Sequence, residues 1–176
     1  MKIYKYDTII YEDDSLTIKE TVENAVRKGV SLERANLKGI DLQGADLKYA
    51  YLRYAYLKDA NLNNANLEGA CLENAELTNT NLEFANLEGA NLTEADLENA
   101  NLENANLYCA NLDNTNLKSA NLISADLSQV DLDDTDIECA YLKDTTLQFF
   151  DLTYAHIMGD CIIKIGKTEY ILTKKE

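Results

Sequence analysis

The chain has 176 residues and carries 31 acidic against 16 basic side chains, a formal net charge of −15. Proline and tryptophan are absent and glycine numbers only seven, which excludes collagen-like and flexible-linker readings. An anionic balance of this size repels phosphate backbones, so direct nucleic-acid binding is excluded as well.

In chain order, Ile3-Tyr4-Lys5-Tyr6 and Ile9-Ile10-Tyr11 read as a short hairpin. Thr17-Ile18-Lys19-Glu20 has the form of a capping box, in which a threonine and a glutamate each satisfy an amide at a helix start. Ile18, Val22, Ala25 and Val26 then fall on one helical face, and Gly29 supplies the stop. The opening Met1-Lys2-Ile3-Tyr4-Lys5-Tyr6-Asp7 lacks the apolar run of a signal peptide, and no window reaches the apolar length of a membrane span. A cytoplasmic location away from membranes is expected.

From Leu32 to Ile157 every fifth residue is leucine or isoleucine, 26 positions of which 24 are leucine. Two residues before each stands alanine in 18 cases and threonine in four, and the residue just before the leucine is mostly asparagine or aspartate. A period of five fits neither standard element. At about 100° per residue a helix would scatter these leucines, and a strand would alternate them between faces. The pattern closes only if each pentapeptide turns a corner and sends one large and one small side chain inward. The run 65–70, Ala-Asn-Leu-Glu-Gly-Ala, recurs unchanged at 85–90, a lag of twenty, or four pentapeptides. Asn61, Asn81, Asn101 and Asn121 keep the same lag and would stack as a hydrogen-bonded ladder along one side.

The Ala-(Asp/Asn)-Leu-x-x pattern over residues 30–159 resembles the pentapeptide-repeat family. The resemblance implies an all-β, right-handed quadrilateral β-helix, with four repeats per coil and a rod roughly 30 Å long at the usual strand spacing. Open ends of such a stack need covering. Residues 1–29 are expected to be an N-terminal cap of strands and helix. Residues 160–176 are expected to form a C-terminal hairpin, with Cys161-Ile162-Ile163-Lys164-Ile165 and Glu169-Tyr170-Ile171-Leu172 flanking Gly166-Lys167. The repeat fails at Asp160, and Phe149 and Phe150 depart from the small-residue rule just before it, as befits side chains folding over a terminus. That end either caps the coil or pairs with a second molecule, leaving monomer and end-to-end homodimer both open.

No catalytic constellation emerges. His156 is the single histidine and stands at an outward repeat position. Cys71, Cys109, Cys139 and Cys161 show no metal-ligand spacing and read as free thiols. The carboxylates Asp131, Asp133, Asp134 and Asp136 cluster as a solvated surface does, and no phosphate loop or calcium loop is present. No enzyme activity, cofactor or metal is therefore expected.

The surface is uneven along the chain. Residues 60–159 hold only Lys118 and Lys143 against eighteen carboxylates, whereas residues 30–59 balance five basic against four acidic groups. In those early coils Tyr49, Tyr51, Tyr54 and Tyr56 fall at outward positions beside Arg53 and Lys58. Aromatic residues with arginine are the usual chemistry of a protein interface, so Tyr49, Tyr51, Arg53, Tyr54 and Tyr56 form the candidate site, against a reading in which Tyr51 and Tyr56 merely lean on neighbouring coils. The expected function is protein interaction or scaffolding with an unknown protein partner. The alternative is imitation of DNA: the resemblance implies that some relatives act on DNA gyrase, inhibiting it or protecting it from quinolones. The unbroken register lacks the projecting loops of the quinolone-resistance members.

Overall fold

A computed structural model describes residues 1–146 apart from Asp131 and Asp133, together with the strand backbones 161–165 and 168–172. The failure of the repeat at Asp160, the side chains of Phe149, Phe150 and His156, and the turn Gly166-Lys167 lie outside the described residues.

Two strands, β1 (Lys2–Lys5) and β2 (Thr8–Glu12), pair antiparallel with a bulge between Ile3 and Tyr4. Helix α1 (Ile18–Arg27) follows. Its Thr17 side chain accepts from the Glu20 amide at 3.1 Å, while the Glu20 carboxylate reaches back to the Thr17 amide at 3.3 Å, the reciprocal capping box. Gly29, at φ 68°, ends it: Gly29 N donates to Val26 O at 2.8 Å and Val30 N to Ala25 O at 2.9 Å, the two bonds of a Schellman stop. Val22 and Ala25 are fully buried. Near the C-terminal end, β3 (Cys161–Ile165) and β4 (Thr168–Leu172) pair antiparallel, Cys161 opposite Leu172 and Ile165 opposite Thr168.

Between these ends the chain forms a coil with four sides. Parallel bridges join residues twenty apart without a break, from Asn36 with Tyr56 to Asp126 with Thr146 wherever both residues are described. The central leucine and isoleucine side chains from Leu32 to Leu142 are at most 4 % exposed. The backbone bonds run between coils. Leu62 N donates to Asn81 O of the next coil at 2.7 Å, and Asn61 N to Ile40 O of the preceding one at 2.9 Å. Each coil therefore depends on its neighbours for its amide partners.

From Ala45 on, every described corner has the same chemistry. The amide two residues before one leucine donates to the carbonyl of the previous leucine, as Ala65 N does to Leu62 O at 2.9 Å. The residue before that amide sits at positive φ throughout, from Arg34 at 58° to Asp144 at 58°. An i to i+3 bond with positive φ only at the third residue is a type II turn, whose third position favours glycine or asparagine. Gly39, Gly44, Gly69 and Gly89 fill it at four corners and asparagine at six others, including Asn64, Asn74 and Asn104. Where threonine replaces the inward alanine, its hydroxyl finds a carbonyl: Thr80 Oγ1 donates to Leu57 O at 2.9 Å and Thr115 Oγ1 to Leu92 O at 2.8 Å. The interior thus leaves no threonine hydroxyl orphaned among the described residues.

Backbone amides and a carbonyl of the first coil are met from the N-terminal segment. Asn36 N donates to Tyr4 O of β1 at 2.7 Å, Asp46 N to the Glu23 carboxylate of α1 at 2.9 Å, and Lys19 Nζ to Gln43 O at 2.7 Å. Asp13 braces β2 against α1 by accepting from Thr21 Oγ1 and Asn24 Nδ2, both at 2.9 Å, and from Ser15 N at 3.1 Å. Partial burial pushes the Asp13 carboxyl up, but the hydrogen bonds from Asn24, Ser15 and Thr21 outweigh it and hold the group well below the ordinary carboxylate range.

Candidate interaction surface

Because the period is twenty, residues with that lag stack into columns, and the four sides can be read directly. The first carries Asn36, Tyr56, Glu76, Asp96, Asn116 and Asp136; the second Asp41, Asn61, Asn81, Asn101, Asn121 and Tyr141; the third Asp46, Asn66, Asn86, Asn106, Asp126 and Thr146; the fourth Tyr51, Cys71, Asn91 and Asn111.

The second side is a side-chain ladder. Asn121 Nδ2 donates to Asn101 Oδ1 at 3.0 Å, Asn101 to Asn81 at 3.2 Å, Asn81 to Asn61 at 3.4 Å, and Asn61 to the Asp41 carboxylate at 2.9 Å. The third side repeats this through Asn106, Asn86, Asn66 and Asp46, a ladder not singled out from the sequence. Each rung also accepts from the amide two residues on, as Asn61 Oδ1 does from Asn63 N at 3.2 Å. Both series end on an aspartate, which accepts and has no amide to donate. These amides are occupied in holding the coil, so the second and third sides are structural surfaces first.

Carboxylates are spread around the rod. Glu76, Asp96, Glu98, Asp136 and Glu138 belong to the first side, Glu83 and Glu103 to the second, Glu68, Glu88 and Asp126 to the third, and Glu73 and Asp113 to the fourth. The negative field surrounds the later coils on every side. Among the described residues no three His, Cys, Asp or Glu side chains are placed to hold a metal ion, and no helix is long and apolar enough to cross a membrane. Cys71, Cys109 and Cys139 are free thiols.

The candidate residues occupy one coil. Tyr51 and Arg53 lie on the fourth side, Tyr49 and Tyr54 at the two corners that bound it, and Tyr56 around the second of those corners on the first side. The fold therefore gathers Tyr49, Tyr51, Arg53 and Tyr54 and separates Tyr56 from them. Tyr49 and Tyr51 are exposed, at 61 % and 60 %, while Tyr54 and Tyr56 are half-buried. Arg34 lies over the Tyr54 ring at 4.8 Å from its centroid and Arg53 at 5.4 Å, and Lys48 stands 5.0 Å from the Tyr49 centroid. Arg53 also pairs with Glu73 of the next coil, and Lys48 with Glu68 at 2.7 Å. Hydrogen bonding to Glu68 holds the Lys48 ammonium above its ordinary range. The Tyr49 ring rests on Gly69 of the next coil so closely that a Cβ there would meet ring carbons at 2.5 Å.

Two of these aromatics stand at strained corners, Tyr49 at φ 59° and Tyr54 at φ 56°. For an L-residue with a bulky side chain that conformation costs roughly 1–2 kcal/mol. A cation over an exposed ring returns about 0.5–1 kcal/mol. Two arginines can offset the strain at Tyr54, and one lysine offsets it only partly at Tyr49. The sequence pattern placed these residues outside the rod; the corner strain was readable only from the glycines and asparagines at equivalent positions.

The sequence matches pentapeptide repeats in eight copies, over residues 28–64, 40–79, 70–107 and 110–148. No curated protein matches it in sequence. Among solved structures it is similar to HetL, a pentapeptide repeat protein involved in heterocyst differentiation regulation in Nostoc sp. strain PCC 7120, with 34 % identity and a TM-score of 0.60 over 68 % of this chain. The match spans 62 % of HetL, under two thirds of its length. A pentapeptide repeat protein of the Arabidopsis thaliana thylakoid lumen is similar in fold, with 22 % identity, a TM-score of 0.51, and coverage of 68 % of this chain and 69 % of that one. A second Nostoc PCC 7120 pentapeptide repeat protein is 30 % identical, covering 80 % of this chain and 93 % of its own length, with a TM-score of 0.46. With an unbroken coil of twenty residues, an inward leucine on every side and this family match over most of its length, the chain belongs to the pentapeptide-repeat family.

Proposed function

We propose that the chain is a non-catalytic cytoplasmic interaction scaffold that recognises a protein partner through its fourth side, at Tyr49, Tyr51, Arg53 and Tyr54. In this reading the coil is right-handed, residues 30–159 are the rod, and residues 1–29 and 160–176 close its ends. The observation that carries it is the pair of tyrosines held at left-handed corners, Tyr49 at 59° and Tyr54 at 56°, on either side of one face, where glycine or asparagine stands at ten of the other described corners and tyrosine at none. Strain kept against a cheaper residue is a mark of use. Aromatic rings beside arginine supply large contact area at low entropy loss. Tyr56 falls outside this group because it faces another side.

The test is capture of partners by the purified chain and by Tyr51→Ala with Tyr54→Ala. Loss of a specific partner in the double variant supports the reading; an identical set of partners retires it.

The anionic field of the later coils favours a second reading, imitation of DNA toward an enzyme such as gyrase, since residues 60–159 hold eighteen carboxylates against two lysines. Gyrase supercoiling with and without a quinolone tests it, and no change at high micromolar chain removes it.

A further inference from the structure

At three places on the outer columns a cation is answered one coil later by a carboxylate, Lys48 by Glu68 at 2.7 Å, Arg53 by Glu73, and Lys118 by Glu138 at 2.6 Å, and Arg34 is answered by the Tyr54 ring. The column that later holds Lys118 and Glu138 breaks this pairing at its start. Lys38 is followed twenty residues on by Lys58, and Lys58 by Thr78. Gly39 N donates to Lys58 O at 2.9 Å, so the two lysines leave adjacent rungs of the first side, where like charges oppose each other. Neither lysine has a carboxylate partner among the described residues.

The stacked lysines border a cavity of about 330 Å³ lined by Tyr6, Asn36, Lys38, Tyr56, Lys58 and Glu76. Tyr6 reaches it from the tip of the β1–β2 hairpin, at φ 52° in a two-residue turn where glycine or asparagine is the stable choice. A bulky aromatic is thus kept at a strained turn, beside an unanswered pair of cations. The two features are independent, one on the hairpin and one on the rod, and they converge on the same space.

The geometry points to a binding site for a phosphate monoester carried on a planar ring, its phosphate shared by Lys38 and Lys58 and its ring held against Tyr6 and Tyr56. A phosphate between two ammonium groups removes their mutual repulsion. Asn36 offers an amide to the same space. Glu76 stands on the wall and repels further negative charge, so one phosphate fits better than two. Hydrogen bonding to Tyr6 pushes the Tyr56 phenol up, so Tyr56 stays protonated at neutral pH.

Calorimetric titration of the full chain at low salt with adenosine monophosphate, adenosine and inorganic phosphate is the test. Adenosine monophosphate is expected to bind, with adenosine and phosphate each at least about tenfold weaker because each lacks half of the contacts. Lys38→Glu places a carboxylate one rung from Lys58, restoring a pair of opposite charges; it should raise the melting temperature of the free chain and weaken adenosine monophosphate at least about tenfold. Lys58→Thr, which copies the residue of the next rung, should also lose binding, and gives a second reading if the first variant folds poorly. The Tyr51→Ala, Tyr54→Ala chain should bind adenosine monophosphate like the unaltered chain, which separates this site from the fourth-side surface. No heat with millimolar adenosine monophosphate, phosphate binding as tightly as the nucleotide, or unchanged affinity in Lys38→Glu would overturn the proposal.

Discussion

The early coils, up to about residue 59, and the later coils share an interior and the asparagine ladders and differ in the charge and the aromatic content of their surface. Leu52 and Leu92 are equally buried, and Ala55 and Ala95 are nearly so. Outside, the corner that holds Arg34 and Tyr54 in the early coils holds Asn74, Glu94, Asn114 and Asp134 in the later ones, and the corner of Tyr49 holds Gly69, Gly89, Cys109 and Gln129. The same backbone accepting such different side chains shows that the interior and the coil-to-coil ladder hold the fold with enough margin for surface corners to depart from the most stable choice, with tyrosines at corners confined to the early coils. The tyrosines among these departures, Tyr49, Tyr54 and Tyr6, flank the fourth side and tip the hairpin, where recognition is proposed.

The comparison is broken most severely from within. Leu92→Asp puts a carboxylate into an apolar column with no partner, and since Leu92 is fully buried the chain should lose its cooperative thermal transition. Leu52→Asp should do the same, and survival of either, followed by circular dichroism, would contradict the common interior.

Gly69 and Gly89 then separate the corner from what covers it. Both sit near φ 61–62°, but a Cβ at Gly89 meets nothing within 4 Å, whereas at Gly69 it meets the Tyr49 ring. Gly89→Ala should cost about 1 kcal/mol, the left-handed penalty alone. Gly69→Ala should cost more, because the ring must move as well, and the excess should vanish when Tyr49 is also replaced by alanine. Equal melting temperatures for the two single variants would remove Tyr49 from the surface of the next coil.

Phe84 and Tyr54 sharpen the contrast further. Each is an aromatic at a left-handed corner, Phe84 at 57° and Tyr54 at 56°, but only Tyr54 lies under arginines. Phe84→Asn should stabilise the later coils by about 1 kcal/mol, or roughly 2–4 °C in melting temperature for a chain of this size. Tyr54→Asn should come out near zero, since relief of strain is offset by loss of two cation–π contacts. A large gain at Tyr54 would mean that the arginines do not compensate.

The smallest effect concerns the N-terminal brace, which touches only the early coils. Asp13 has its pKa lowered on folding, so its contribution is present above the ordinary value of 3.8 and is lost as pH falls below it. Relative to the intrinsic rate at each pH, exchange of the Asn36 and Asp46 amides should therefore quicken in acid before exchange in the later coils does, and Asp13→Asn should reproduce part of that at neutral pH. Uniform quickening along the rod would place the acid effect elsewhere.

The interior was fully legible, because leucine every fifth residue with alanine two before it admits no helix or strand, and the repeated run at 65–70 and 85–90 carries the coil length. The Asn61 ladder was legible for the same reason. Other features needed coordinates. Tyr51 and Tyr56 are one pentapeptide apart and look like neighbours in sequence, but each pentapeptide turns a corner, so they face different sides. The approach of Tyr6 to Tyr56 depends on how the hairpin settles on the first coil, which no periodicity records. The left-handed corners did leave a trace, in Gly39, Gly44, Gly69, Gly89 and the asparagines at equivalent positions, and a search of that column for turn residues would have found it.

The central claim is that inward residues make the fold and the fourth side makes the contact. Melting temperature and partner capture, measured together on the Tyr51→Ala, Tyr54→Ala chain, test it most directly. The expected result is a melting temperature lowered by no more than about 4 °C, since Tyr51 is exposed and Tyr54→Ala forfeits about 1 kcal/mol of cation–π contact, with the specific partner lost. A chain that melts early, or one that melts normally and keeps every partner, would contradict it.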